Sequence, residues 1–388
     1  MCIFKLLSLK IMKKILFIYY QNIKQGGISK SIANITKSLV DEEYEVTILF
    51  LMRSHQDFFP IDMRVKKVYI NSFDTKYFRK THRLNKNLKG KIQKIVNYAY
   101  DFGCFSVLKD WIEKNHNRYD EIITCWYKLS IYLTFTSASH KTVAWEHINH
   151  KTGGLIYFNL LKKRYSKLKS IICLTDDSAN FYKKYHTKII KISNIIGDQF
   201  ENCELDLNSK EDKIFFASRM DPEKNVKEFL EIIAETKLQQ SWNVTIAGTG
   251  IEVNEIKRYA AKLKINNLNF LRSISSEEML DYYKKSKIFC MTSLSEGLPT
   301  TLIEAMFCGN SLISYDCPTG PSEIVNKNNG YLITLKDKQA FTSKLKFLSE
   351  NPIELTKLMI SSHNEAKKWR KEKILEDWKF VLNDFQHV

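Results

Sequence analysis

Residues 287–306 read Lys287-Ile288-Phe289-Cys290-Met291-Thr292-Ser293-Leu294-Ser295-Glu296-Gly297-Leu298-Pro299-Thr300-Thr301-Leu302-Ile303-Glu304-Ala305-Met306. The apolar run at 287–291 has the length of a short buried strand. Gly297 and Pro299 break it, and Thr300 or Thr301 can cap a helix carrying Leu302, Ile303, Ala305 and Met306. Strand, loop and helix N-terminus follow in that order. Such a terminus offers unpaired N–H groups and a positive dipole end, a natural seat for a phosphate. Glu296 and Glu304 flank the seat. Acids beside a phosphate seat suggest a ligand with both phosphate and hydroxyls, such as a sugar nucleotide. A second reading stays open: Thr301-x-x-Glu304 also has the form of a capping box, and Glu296 of an ordinary loop acid.

The same strand–loop–helix grammar extends in both directions. Ile15-Leu16-Phe17-Ile18-Tyr19 is a continuous apolar strand, followed by Gly26-Gly27 and a helix over 29–39. That is how a doubly wound domain begins, although the glycine pair is not a full G-x-G-x-x-G fingerprint. The pair allows close backbone approach to a ligand, or simply a tight turn. Strands are expected over 45–50, 67–70 and 121–125, and a helix over 107–115. Thr142-Val143-Ala144-Trp145 is a further strand running into Glu146-His147, with His150 close behind. Ligands of open α/β sheets gather at the carboxyl ends of strands, so His147 is a candidate partner for a substrate hydroxyl or phosphate, or a structural histidine. Strands over 170–174 and 189–192 flank a helix capped by Thr175-Asp176-Asp177 and running to Tyr185. From 195 to 212 the pattern turns polar and aperiodic, as in an interdomain linker.

The alternation then restarts at 213–217. The expected architecture is therefore α/β: two Rossmann-like doubly wound domains, over 12–194 and 213–388, facing a cleft, with C-terminal helices packing back toward the first. Three loops of the second half carry chemistry. Arg219 and Lys224 follow its first strand, Gly248 and Gly250 its second, and Glu296 to Glu304 its fourth. Arg offers a fork to phosphate oxygens and Lys a mobile point charge, so the two can neutralise a diphosphate without a metal. The nearest approach to a D-x-D is Glu204-Leu205-Asp206, in the linker.

Composition bounds the alternatives. The chain has 388 residues, 44% hydrophobic and 12% aromatic, enough for two cores and against disorder. Its formal charge of +17 fits an anionic partner. The segment 76–94 concentrates that charge: Lys76, Arg79, Lys80, Arg83, Lys86, Lys89, Lys91 and Lys94 occur with no acid among them. Leu84, Leu88, Ile92 and Ile95 give it helical spacing, so it reads as a helix docking on an anionic membrane face, or as a solvated face. The eight cysteines include no C-x-x-C, which argues against zinc and for a reducing compartment. No run approaches the ~20 apolar residues of a membrane span. Residues 1–11 read as a start-site extension or a weak membrane contact.

These motifs together resemble retaining glycosyltransferase family 4, whose fold is GT-B. The resemblance rests on Ala217-Ser218-Arg219-Met220 with Lys224-Asn225, on Ile246-Ala247-Gly248-Thr249-Gly250, on the E-x7-E of Glu296 and Glu304, and on Pro318-Thr319-Gly320-Pro321-Ser322-Glu323-Ile324. Gly26-Gly27 matches the family's N-terminal glycine loop, and Trp145-Glu146-His147 its active-site histidine region. The sequence departs from the family at Met220, at Asn225 where a glycine often follows the lysine, and at Ser193-Asn194-Ile195 in place of a Pro-Asn linker.

The resemblance implies a nucleotide-sugar donor as substrate, with no cofactor and no metal. Arg219, Lys224, Gly27, Gly297 and Leu298 would meet the donor diphosphate, Glu304 and Gly248 the nucleotide and ribose, and Glu296 and His147 the reacting sugar. The expected activity is transfer of a hexose or N-acetylhexosamine, from UDP, to a glycan or lipid-linked glycan of bacterial surface polysaccharide or lipopolysaccharide. The expected place is the cytoplasmic, inner face of the plasma membrane, on an anionic membrane surface, with no nucleic-acid partner. The competing readings are another GT-B enzyme, such as a sugar-nucleotide epimerase, and a basic nucleic-acid-binding protein.

Overall fold

The computed structural model of the chain describes residues 12–23, 26–73, 88–147, 160–265 and 267–385. Contacts divide it into two compact units. The first comprises Met1–His147, Lys151–Ile172 and Tyr182–Ile190, and the second Ile148–His150, Cys173–Phe181 and Lys191–Val388. The stretch 195–212 lies within the second unit, where Ile195, Ile196, Phe200 and Cys203 are buried.

Seven parallel strands build the first sheet: β1 Lys14–Tyr19, β2 Glu45–Met52, β3 Lys66–Phe73, β4 Glu121–Thr124, β5 Thr142–Glu146, β6 Ser170–Cys173 and β7 Ile189–Lys191. Their order is β3-β2-β1-β4-β5-β6-β7. The inner strands are continuous apolar runs because helices cover both faces of a doubly wound sheet; Ile15, Leu16, Phe17 and Ile18 are all fully buried. Gly27–Asp41 is the helix after β1. The sequence predicts separate helices over 76–94 and 107–115, but one 28-residue helix, Leu88–Asn115, is present. The remainder of the basic segment lies outside the described residues. The helix after β6 stops at Tyr182 rather than Tyr185.

The second sheet has six strands: β8 Glu211–Ala217, β9 Asn243–Ala247, β10 Leu268–Leu271, β11 Ser286–Met291, β12 Ser311–Asp316 and β13 Gly330–Thr334. They run parallel in the order β10-β9-β8-β11-β12-β13. The strand order therefore reverses direction between β8 and β11, as it does between β1 and β4 of the first sheet. Ligands of such sheets sit outside the carboxyl ends of the strands at that switch point. The helix Val226–Thr236 buries Val226, Phe229, Leu230, Ile232 and Ile233 along one stripe, against Ile214, Phe216 and Ile246 of the sheet. Three helices, Lys338–Glu350, Pro352–Ala366 and Lys371–Leu382, complete the unit. No helix among the described residues is long and apolar enough to cross a membrane.

Candidate active site

The switch point of the second sheet collects the charged residues expected there. β8 ends at Ala217 and β11 at Met291, adjacent strands whose following loops lean on each other. The Leu294 N–H donates to the Glu223 carbonyl at 2.8 Å, and the Thr292 hydroxyl to the carbonyls of Lys224 at 3.3 Å and Asn225 at 3.1 Å. This sets Lys224 Nζ 2.7 Å from Glu296 Oε1, both side chains largely withdrawn from water. Lys224 and Glu296, singled out separately in the sequence, thus meet in one ion pair. Arg219 is placed differently. Its guanidinium is 46% exposed and forks between Asp221 Oδ2 and Glu223 Oε1, each at 2.5 Å, within its own loop.

Gly248 owes its identity to protein packing. Its φ is +147°, and a Cβ there would lie 1.8 Å from the Ser218 carbonyl oxygen. Ser218 N–H donates to Ala247 O at 3.1 Å, and Met220 N–H to Thr249 O at 2.8 Å, so the glycine loop is zipped to the loop of Arg219. Gly320 is likewise crowded: a Cβ on it would stand 2.3 Å from the Gly297 carbonyl oxygen. Gly320 (φ +88°) and Thr319 (φ +66°) form a left-handed pair that folds onto the Glu296 loop, and the Thr319 hydroxyl donates to the Glu296 carbonyl. Leu298 is buried beneath this turn.

The capping-box reading of Thr301 and Glu304 is not what the chain adopts. The helix runs Thr300–Phe307 with Pro299 at the N-cap and no side-chain cap. A box on Pro299 would need its acid at Leu302, two positions before Glu304. Glu304 is instead 1% exposed, on the inner face of the helix, with the Tyr283 hydroxyl 3.5 Å from Oε2. Burial, with Glu304 alongside, pushes that phenol well above its usual pKa, so it stays protonated.

In the first unit, His147 follows β5 directly. It is 8% exposed and its ring lies 4.0 Å, centroid to centroid, from that of Trp145. Among the described residues Nε2 is buried without a hydrogen-bond partner, and burial lowers the imidazole pKa to about 3. His147 is therefore a neutral imidazole at neutral pH. His150 lies outside the described residues. Gly27 opens the helix Gly27–Asp41, and a Cβ on it would meet nothing within 4 Å among the described residues.

Sequence reasoning missed the support under His147. Glu146 is 2% exposed, and its carboxylate accepts from the hydroxyls of Tyr165 at 2.5 Å, Tyr182 at 2.8 Å and Ser130 at 3.3 Å. The fully buried Lys162 ammonium donates to the Tyr182 hydroxyl at 2.5 Å. One buried anion and one buried cation are thus joined through a tyrosine, which keeps both paired. No spacing rule marks such a set, because its members come from four separate segments.

Residues 198–369 match the family model of the glycosyl transferases group 1, and this segment is a domain of that group. The amylovoran biosynthesis glycosyltransferase AmsD of Erwinia amylovora is 23% identical, over 92% of this chain and 96% of its own length. The alpha-1,4-N-acetyl-D-galactosaminyltransferase of Campylobacter jejuni, named for a GalNAc- and diNAcBac-bearing PP-undecaprenol, is 24% identical, over 97% of this chain and 100% of its own. Among solved structures, TarM of S. aureus, determined with UDP, superposes at a TM-score of 0.74 with 16% identity, covering 96% of this chain and 100% of that one. Two Rossmann-like parallel-sheet units and these neighbours define a GT-B α/β protein. The homologues are glycosyltransferases, AmsD and the Campylobacter enzyme among them.

Proposed function

We propose that the chain is a retaining glycosyltransferase of family 4. It moves a hexose or N-acetylhexosamine from a UDP-sugar to a glycan acceptor, lipid-linked, in bacterial surface polysaccharide or lipopolysaccharide biosynthesis. The observation that carries this reading is the Lys224–Glu296 pair at the switch point between β8 and β11. The polyprenol-linked substrate in the name of the Campylobacter relative, and the UDP bound to TarM, support the choice of acceptor and donor.

In this reading the donor lies on the second unit. Lys224 leaves Glu296 for the β-phosphate, and Glu296 turns to the hydroxyls of the donor sugar. Arg219 exchanges its exposed ion pairs for the diphosphate, a small loss because such pairs are weak. The unblocked N-terminus of the helix Thr300–Phe307 and the backbone at Gly297 and Leu298 add N–H donors. Glu304 accepts from the ribose diol once the side chain turns from Tyr283, and Gly248 brings its backbone near the nucleotide. The space at Gly27, open among the described residues, suits a backbone approach to the diphosphate.

Transfer breaks the bond between the anomeric carbon and the β-phosphate oxygen. The acceptor hydroxyl attacks the same face, and its proton passes to the leaving phosphate oxygen. The cations stabilise the charge that develops on that oxygen, with no metal required. Neutral His147 hydrogen-bonds the reacting sugar through Nε2, the atom without a partner among the described residues. The basic segment 76–94 holds the enzyme on the inner, anionic face of the plasma membrane.

A panel of UDP-, GDP- and ADP-sugars tests the reading. Binding and slow hydrolysis of a UDP-sugar, lost on Lys224→Met, support it. No binding or turnover of any donor sinks it.

A further inference from the structure

The residue after Lys224 is an asparagine in a conformation that asparagine tolerates better than most side chains. Asn225 stands at φ 52° and ψ 41°, left-handed, and serves as N-cap of the helix Val226–Thr236. Its side chain is not idle. Nδ2 donates to Glu228 Oε2 at 2.5 Å, and the other carboxylate oxygen of Glu228 accepts from the Tyr315 hydroxyl at 2.5 Å. Both oxygens of Glu228 are therefore engaged within the fold. Tyr315 stands near the end of β12, and Thr292 grips the Lys224 and Asn225 carbonyls from the loop after β11. Three elements thus converge on the peptide that bears the Lys224 side chain.

We propose that Asn225, Glu228 and Tyr315 form a clamp that positions Lys224 to receive a nucleoside diphosphate. The inference rests on the reading of Lys224 as the diphosphate cation. Glycine reaches the left-handed conformation without strain but leaves the turn unanchored. Asparagine accepts a small strain and supplies a donor that ties the turn to Glu228. Glu228 is held in turn by a phenol that burial, and the carboxylate itself, keep protonated. Lys224 then meets its ligand from a preset backbone, so little ordering is left for the binding step. Asn225, Glu228 and Tyr315 touch no ligand in this scheme; they act through Lys224.

The test is calorimetric titration of UDP into the full chain, with each variant's folded fraction measured by circular dichroism. Lys224→Met is expected to weaken UDP at least about tenfold. Asn225→Ala, strained at positive φ, is expected to weaken it about tenfold, and Asn225→Gly to recover to within about threefold of the wild type. Glu228→Ala costs about fivefold, and adding Asn225→Gly to it costs little more, because the two act as one unit. If Asn225→Ala does not fold, Tyr315→Phe takes its place, with an expected loss of about threefold. Unchanged UDP affinity in the folded clamp variants, alongside a weakened Lys224→Met, overturns the clamp and leaves the donor site standing. A wild type that binds neither UDP, GDP nor ADP overturns the donor site, and the clamp with it.

Discussion

Lys224 Nζ lies 2.7 Å from Glu296 Oε1, across 72 residues of sequence and on the loops of two adjacent strands. The pair neutralises each partner, and in the proposed function it parts to meet the donor. Lys224→Met should therefore lower donor turnover by about 100-fold, the worth of one charge-assisted contact to the leaving group. Stability should also fall, by ~3 kcal/mol, because Met leaves Glu296 without its cation at a place largely withdrawn from water. Steady-state rates and a denaturant titration separate the two effects.

Two glycines should behave in opposite ways. Gly248→Ala drives a Cβ to 1.8 Å from the Ser218 carbonyl at a φ of +147°, so unfolding should come easier by about 3 kcal/mol or more. Gly27→Ala meets no such obstacle, and should leave the melting temperature level or slightly higher, by ~0.5 kcal/mol. If the backbone at Gly27 approaches the diphosphate, the same substitution lowers turnover. Thermal melts and donor kinetics on the two variants read this directly.

His147 makes stability depend on pH. Its pKa falls from 6.5 in the unfolded chain to about 3 in the folded one, through burial. The folded state thus binds fewer protons, and the contribution is complete above pH 6.5 and declines as pH falls toward 3. Between pH 7.5 and pH 5 this amounts to about 2 kcal/mol. His147→Asn should flatten that slope in denaturant titrations run across the same range. An unchanged slope would assign the dependence to other groups.

The parallel strands were legible because strands covered on both faces are apolar throughout, and runs such as Ile15-Leu16-Phe17-Ile18 leave few alternatives. The helix Val226–Thr236 was equally plain from its apolar stripe. The helix Leu88–Asn115 was not, because Gly103 and the 69%-exposed Phe102 interrupt its periodicity. Capping boxes show how local register decides. Ser275 and Glu278 form one, with both reciprocal bonds present, whereas Thr301 and Glu304 share the spacing but Pro299 starts the helix early. At the site, Arg219, Lys224 and the E-x7-E stood out as motifs. The clamp behind Lys224 did not, since Tyr315 and Glu228 lie 87 residues apart and only the tertiary fold joins them.

Membrane attachment is a separate claim. Co-sedimentation should show preference for vesicles with anionic lipid over neutral ones, weakening as salt rises. Replacing Lys80, Arg83, Lys86 and Lys89 with Gln should remove most of that preference while soluble-donor hydrolysis continues. Equal partitioning into neutral and anionic vesicles would contradict it.

The most direct measurement is mass spectrometry of the products formed from a UDP-sugar panel with membrane extract as acceptor, for wild type and Lys224→Met side by side. The predicted result is one sugar transferred by the wild type, with UDP released, and at least about 100-fold less product from the variant. A wild type that consumes no donor, or a Lys224→Met enzyme that works at the wild-type rate, would contradict the assignment.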